Sequence, residues 1–166
     1  TMEILLVSPM NSLFVILSKA VPYFVLSILN LTTILLLSFF VLDVPIAGSL
    51  TALVGVSLVF IFVSLALGLL ISNVTQTQVA AMLASGMVLM LPTIILSGII
   101  FPIESMPGIL QGISCFIPAR WYVSIVRRIM IEGVPFMYVW KETAILLFMA
   151  VVLIGITTRT FKNRLE

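Results

Sequence analysis

Residues 20–42 read AVPYFVLSILNLTTILLLSFFVL, 23 residues without a single charge. A helix of that length crosses the ~30 Å hydrocarbon core of a bilayer, which needs about 20 apolar residues. Residues 44–73 contain a second such stretch, and residues 79–103 a third, 25 residues long. A fourth, 143–158, has 16 uncharged residues, or roughly 24 Å of helix. Lys141 and Arg159 stand at its two ends and can snorkel to the headgroups. The pattern predicts an all-α polytopic membrane helix bundle with four spans, at 20–42, 46–72, 79–101 and 139–158.

The composition agrees. Of 166 residues, 62% are hydrophobic and only 8% charged, with a mean hydropathy of +1.35. A soluble domain is usually about 25% charged, so this chain cannot cover a water-facing surface. Disorder needs low hydrophobicity and high charge, and is excluded too. A net charge of +2 without a basic stripe excludes a nucleic-acid partner. One cysteine, Cys115, and no histidine put a zinc site or a Cys–His pair out of reach within the chain. No Gly-rich Lys-Ser or Lys-Thr loop is present, so no P-loop binds ATP here. Catalytic residues, metals and cofactors are therefore expected to be absent. The chain starts at Thr1 without a charged n-region, which reads as no signal peptide and as part of a longer chain.

The breaks between spans are short. Asp43-Val44-Pro45 suits a tight turn, and residues 73–78 (NVTQTQ) a polar loop. Residues 102–138 are too long and too apolar for a plain loop. Within them Ile109–Phe116 is expected as a short helix. Pro118 then suits the first turn of another over Ala119–Glu132, stopped by Gly133 and Pro135. Arg120, Ser124, Arg127 and Arg128 fall on one side of that helix and Ile125 and Ile129 elsewhere, an amphipathic pattern for the membrane surface. Arg128 and Glu132, four apart, are placed to pair. Residues 1–19, interrupted by Ser8-Pro9, read as a separate short amphipathic piece, and 159–166 as a tail.

Four spans put both ends on one side. Loop charges are tied, with Lys19, Arg159, Lys162 and Arg164 against Arg120, Arg127, Arg128 and Lys141. The compact tail abutting a span favours cytosolic termini. The spans hold no ionisable group, so a proton-coupled carrier lacks its buried carboxylate or histidine. Energy for transport then enters from outside the spans.

Several intramembrane residues carry two readings each. Ser64, Gly68 and Ser72, like Thr51 and Gly55, are spaced for close helix approach, in a static bundle or at a moving interface. Pro92 removes a backbone bond mid-span, and Ser97-Gly98 weakens the helix further. The result is either a shaping kink or a gate. Asn30, Thr32 and Thr33 sit mid-span, where a polar amide needs a partner. They serve either interhelical hydrogen bonds or a substrate path. Arg127 and Arg128 form a headgroup-facing edge or position an anionic lipid or substrate. Cys115 is expected as a small apolar filler.

Three segments together resemble the type-2 ABC exporter permeases. Thr1-Met2-Glu3-Ile4-Leu5-Leu6-Val7-Ser8-Pro9 is similar to their cytosolic segment after the second span, where Gly-Thr-Leu-Glu and two leucines precede Ser or Thr and Pro. Residues 91–107, from Leu91-Pro92-Thr93 through Ser97-Gly98 and Phe101-Pro102 to Pro107, look like their fifth span and the loop after it. Pro118-Ala119-Arg120-Trp121-Tyr122, continuing through Arg127 to Glu132-Gly133, resembles the segment before their last span. The likeness covers nearly the whole chain. One departure is Ile117, where the family often has Asn as a helix cap.

The resemblance implies the C-terminal two-thirds of a permease transmembrane domain, spans three to six, in a bacterial inner membrane. It implies partners, namely an ATP-binding-cassette ATPase subunit that carries the ATP and a second permease half, as a homodimer. Cargo would be drugs, lipids or polysaccharides. Glu3, Leu5, Leu6 and Pro9 would contact the ATPase and push the first span through Lys19 and Pro22. Asn30, Thr33, Pro92, Ser97 and Gly98 would line a path or gate. Arg120, Arg127, Arg128 and Glu132 would sit on an external interfacial helix against membrane lipid. An ATP-independent carrier or channel, or a structural membrane subunit, are the alternatives.

Overall fold

A computed structural model describes residues 12–163, with side chains described for 14–160. The described residues form helices and connecting turns, with no strand among them. Four helical stretches are long and apolar enough to cross a membrane: Phe14–Phe40, Leu50–Val74, Gln78–Leu96 and Trp140–Thr160.

Helix α1, Ser12–Phe40, runs without a break through Lys19 and Pro22. Residues 12–19 thus belong to the first spanning helix and not to a separate piece. Nothing between Ser12 and Val21 opposes helix, and a single proline deletes only one backbone bond. After Phe40 the chain closes with Val44 N–H on the Ser38 carbonyl at 3.0 Å, and Asp43 sits at φ 49°. Helix α2, Leu50–Val74, begins four residues later than expected, because Ser49 caps it by accepting from Ala52 N–H.

Residues 44–48 serve as a strap that lies against the end of the sixth helix. Ala47 N–H donates to the Met130 carbonyl at 3.1 Å. Gly48 is required here, since a Cβ would lie 2.6 Å from the Ile129 carbonyl oxygen.

The third span is composite. Helix α3 covers Gln78–Ala84, a π-helical segment Ser85–Met90, and α4 Leu91–Leu96. The Leu91 N–H reaches back five residues to the Gly86 carbonyl. Proline and π-turns are each causes of a helix kink, and here the π-segment ends at Met90, two residues before Pro92. The span ends at Leu96, short of the expected residue 101. Gly98 at φ 86° turns the chain into a left-handed conformation that no helix continues.

Beyond it lie helix α5, Gly108–Ser114, and helix α6, Pro118–Met130, bent by 88° to each other. Pro118 occupies the first turn, and Ile117 makes no side-chain cap. The last helix, α7, runs Trp140–Asn163. Arg159 and Lys162 continue it past the expected end at 158.

The core is where α6 meets α2 and α7. Leu53 and Val56 of α2, Ile125 and Ile129 of α6, and Val139 and Leu146 beside and within α7 are all essentially inaccessible. Deeper along α7, the buried Thr157 hydroxyl donates to the Leu153 carbonyl at 2.7 Å and also lies 3.4 Å from the Ala66 carbonyl of α2.

Candidate functional site

The amphipathic pattern of α6 drives the site. Its apolar side is consumed by the core, so its polar side must face the α4–α5 loop and the start of α7. Arg120 turns back onto α5. It donates to the Gln111 carbonyl at 2.9 Å, the Ser114 hydroxyl at 2.6 Å and the Cys115 sulfur at 3.0 Å. Its guanidinium lies 5.2 Å from the Trp121 ring centroid, and Trp121 Nε1 donates to the Cys115 carbonyl at 3.0 Å. These bonds satisfy the end of α5 and fix the 88° bend. Cys115 is exposed and hydrogen-bonded, not an apolar filler, because the chain turns outward there.

Arg128 does not pair with Glu132. It pairs with Glu142 of α7 at 2.8 Å, and also donates to the Tyr138 carbonyl at 3.4 Å. The Glu132 backbone N–H already points into the end of α6 at the Arg127 carbonyl, and its side chain stays exposed. Glu142 is four-fifths buried, so it meets the guanidinium at a lower dielectric than solvent offers. Arg127 remains exposed. On the other flank of α6, the Tyr122 hydroxyl bonds Ser57 of α2 at 2.8 Å, and its ring stacks on Phe60 at 4.3 Å. Burial pushes the Tyr122 phenol above its ordinary pKa, with the Ser57 bond opposing.

Two cavities flank this frame. The larger, about 400 Å³, opens at the break of the third span. Phe60, Ser64 and Leu67 of α2 face Ser85, Pro92 and Thr93 across it, with the start of α6 closing one end. It is an apolar hollow with three hydroxyls, sized for part of a small amphiphile. The smaller, about 260 Å³, is polar and brings Ser97 and Gly98 together with Arg120, Arg127, Arg128 and Glu132. Ser97 is buried and its hydroxyl has no hydrogen-bond partner among the described residues.

The expected path residues therefore separate. Pro92 lines the large cavity, Ser97 and Gly98 the small one. Asn30 and Thr33 line neither. Both are exposed on α1, and Thr33 donates to its own helix at the Leu29 carbonyl, 2.9 Å away. The expected coupling residues Glu3, Leu5, Leu6 and Pro9 lie outside the described residues. Glu142 and Ser85 are among the residues in these arrangements that escaped the sequence reading. Glu142 is one acid beside a span, with nothing local to mark its partner. Ser85 gave no motif, although a hydroxyl seven residues before Pro92 was a usable signal. Among the described residues no three His, Cys, Asp or Glu side chains gather as a metal site.

Comparison with known proteins gives one family. Residues 1–159 match the model of the "ABC-2 family transporter protein" family. The chain is 37% identical over its whole length to the "Probable multidrug ABC transporter permease YbhS" of Escherichia coli K12, of which it covers 44%. It is 32% identical over 86% of its length to the "Inner membrane transport permease YhhJ" of the same organism, covering 38% of it. Over 84% of its length it is 28% identical to the "ABC transporter G family member 20" of Dictyostelium discoideum, covering 19% of that protein. The chain thus spans less than half the length of these relatives. No solved structure matches it.

Proposed function

The chain belongs to the ABC-2 family of transporter proteins, and from that premise we propose that it is part of the membrane permease subunit of an ATP-driven exporter in a bacterial inner membrane. A separate ATPase subunit hydrolyses the ATP, and a second permease half, an identical copy, completes the pathway. The cargo is a drug-like or lipid-like amphiphile, and the mechanism is alternating access.

The single observation that carries this reading is the cavity at the broken third span. It combines a wall of apolar side chains with the hydroxyls of Ser64, Ser85 and Thr93, which suits a ligand with few polar groups. Its wall includes part of the π-segment. Converting one π-turn to α-helix turns everything beyond it by about one residue, ~100°. That motion would redraw the cavity wall without breaking the outer frame of α2, α6 and α7. The name of the relative YbhS, "Probable multidrug ABC transporter permease", supports the cargo class. Glu3, Leu5, Leu6 and Pro9 would receive the ATPase, with Glu3 meeting a basic patch and the apolar residues filling a groove.

The test uses the full-length protein co-purified with its ATPase and placed in proteoliposomes. ATP hydrolysis should rise when amphiphilic drugs are added. Leu67→Trp, which fills the cavity, should abolish the rise and leave basal hydrolysis intact. Glu3→Arg should release the ATPase altogether. A full response to drugs in Leu67→Trp would overturn the cavity assignment. Absence of any ATPase partner in several mild detergents would favour the ATP-independent carrier or the structural subunit.

A further inference from the structure

The small polar cavity holds charges that the fold does not use. Arg120 is committed to α5 and Arg128 to Glu142. Arg127, Glu104 and Glu132 also line the cavity, and their side chains make no ion pair or hydrogen bond among the described residues. Beside them the Ser97 hydroxyl is 1% exposed and unpartnered. A buried hydroxyl without a partner costs on the order of a hydrogen bond, so a ligand able to accept from it is favoured.

The arrangement offers one free cation, two free carboxylates and a hydroxyl in a hollow of about 260 Å³. A phosphate suits the cation and the hydroxyl. An ammonium group with N–H donors suits the carboxylates. The cavity stands where the third span ends at Leu96, and the ends of spans are where headgroups are met. Ile99, Ile100 and Phe101 follow at its lip, each more than half exposed, and give acyl chains an apolar surface.

We propose that this cavity is a binding site for the phosphoethanolamine head of a membrane lipid, held by Arg127 and Ser97 at the phosphate and by Glu104 and Glu132 at the ammonium. The lipid is a resident of the outer frame and not cargo, and the site is separate from the large cavity. A phosphatidylglycerol head lacks the ammonium, and a choline head lacks the N–H donors. Both should bind more weakly.

Native mass spectrometry of the full-length protein, equilibrated with vesicles of equal phosphatidylethanolamine, phosphatidylglycerol and phosphatidylcholine, tests this. The wild type should retain phosphatidylethanolamine about tenfold over either rival, the effect of one charge-assisted bond. Glu104→Gln with Glu132→Gln should bring that ratio near one. Arg127→Met should lower retention of all three lipids alike, since each carries the phosphate. Equal retention of the three lipids by the wild type would overturn the proposal without recourse to any variant. So would a ratio unchanged in a double variant with wild-type thermal stability. Retention of soluble glycerophosphoethanolamine as strong as that of phosphatidylethanolamine would assign the site to a free phosphodiester and overturn the lipid.

Discussion

Helices α1 and α6 invite comparison, because their sequences advertise opposite behaviour and their surroundings reverse it. Helix α1 is the more apolar, yet its spanning window buries none of its residues within the chain. Helix α6 carries three arginines and is the better buried, with Ile125 and Ile129 at 0% exposure. In water the apolar helix would have gone inside. In a bilayer, lipid is as apolar as leucine, so hydrophobicity alone gives a helix no reason to seek the bundle. What draws α6 in is shape and polar satisfaction: a flat isoleucine face against α2, Tyr122 on Ser57, Arg128 on Glu142. Helix α1 makes few such bonds. Phe24 meets Phe62 of α2 at 4.7 Å, while Ser27, Thr32 and Thr33 bond only their own backbone.

The contrast can be tested from its strongest side down. Ile129→Ala should remove about 2–5 kcal/mol of stability, read as a fall in thermal midpoint in detergent. Leu29→Ala on α1 removes a similar side chain from an exposed position, and its midpoint should hardly move. Equal losses in the two variants would break the comparison. Arg128→Met should cost about 1–3 kcal/mol, because it leaves the Glu142 carboxylate mostly buried and unpaired. Removing both charges, with Glu142→Gln added, should recover part of that loss. Ser57→Ala should cost about 1 kcal/mol, and Tyr122→Phe combined with it should add little, since the two share one bond. Smallest of all, Thr33→Ala should leave stability within error, because its hydroxyl serves only its own helix.

How far the sequence could be read follows the same division. Spans were legible because a bilayer demands about 20 uncharged residues, and 20–42 states that locally. The amphipathic α6 and the stop at Gly133 were legible for the same reason, as 3.6-residue periodicity and turn chemistry act over a few positions. Ends and partners were less so. The third span stopped at Leu96 because Ser97-Gly98 terminates a helix where it was expected only to weaken one. Arg128 chose Glu142 over Glu132 because α7 arrives beside it, a fact of packing that i,i+4 spacing does not contain. The small cavity joins Ser97 to Arg120 across 23 positions of sequence, and no local pattern announces it. Pro92 was read as a kink or a gate, and the structure adds the π-segment that ends two residues before it.

The strap at residues 44–48 has a consequence in time. Its Ala47 N–H waits for the Met130 carbonyl, which is made 83 residues later (130 − 47). At about 5–20 residues per second of synthesis, the donor goes ~4–17 s before its partner exists. The second and third spans are made within that interval, and until α6 follows them the Ala47 amide has only water or headgroups to serve it. The residues that seat α6 are therefore made before α6 is, and Gly48 leaves room beside that bond for the neighbouring Ile129 carbonyl.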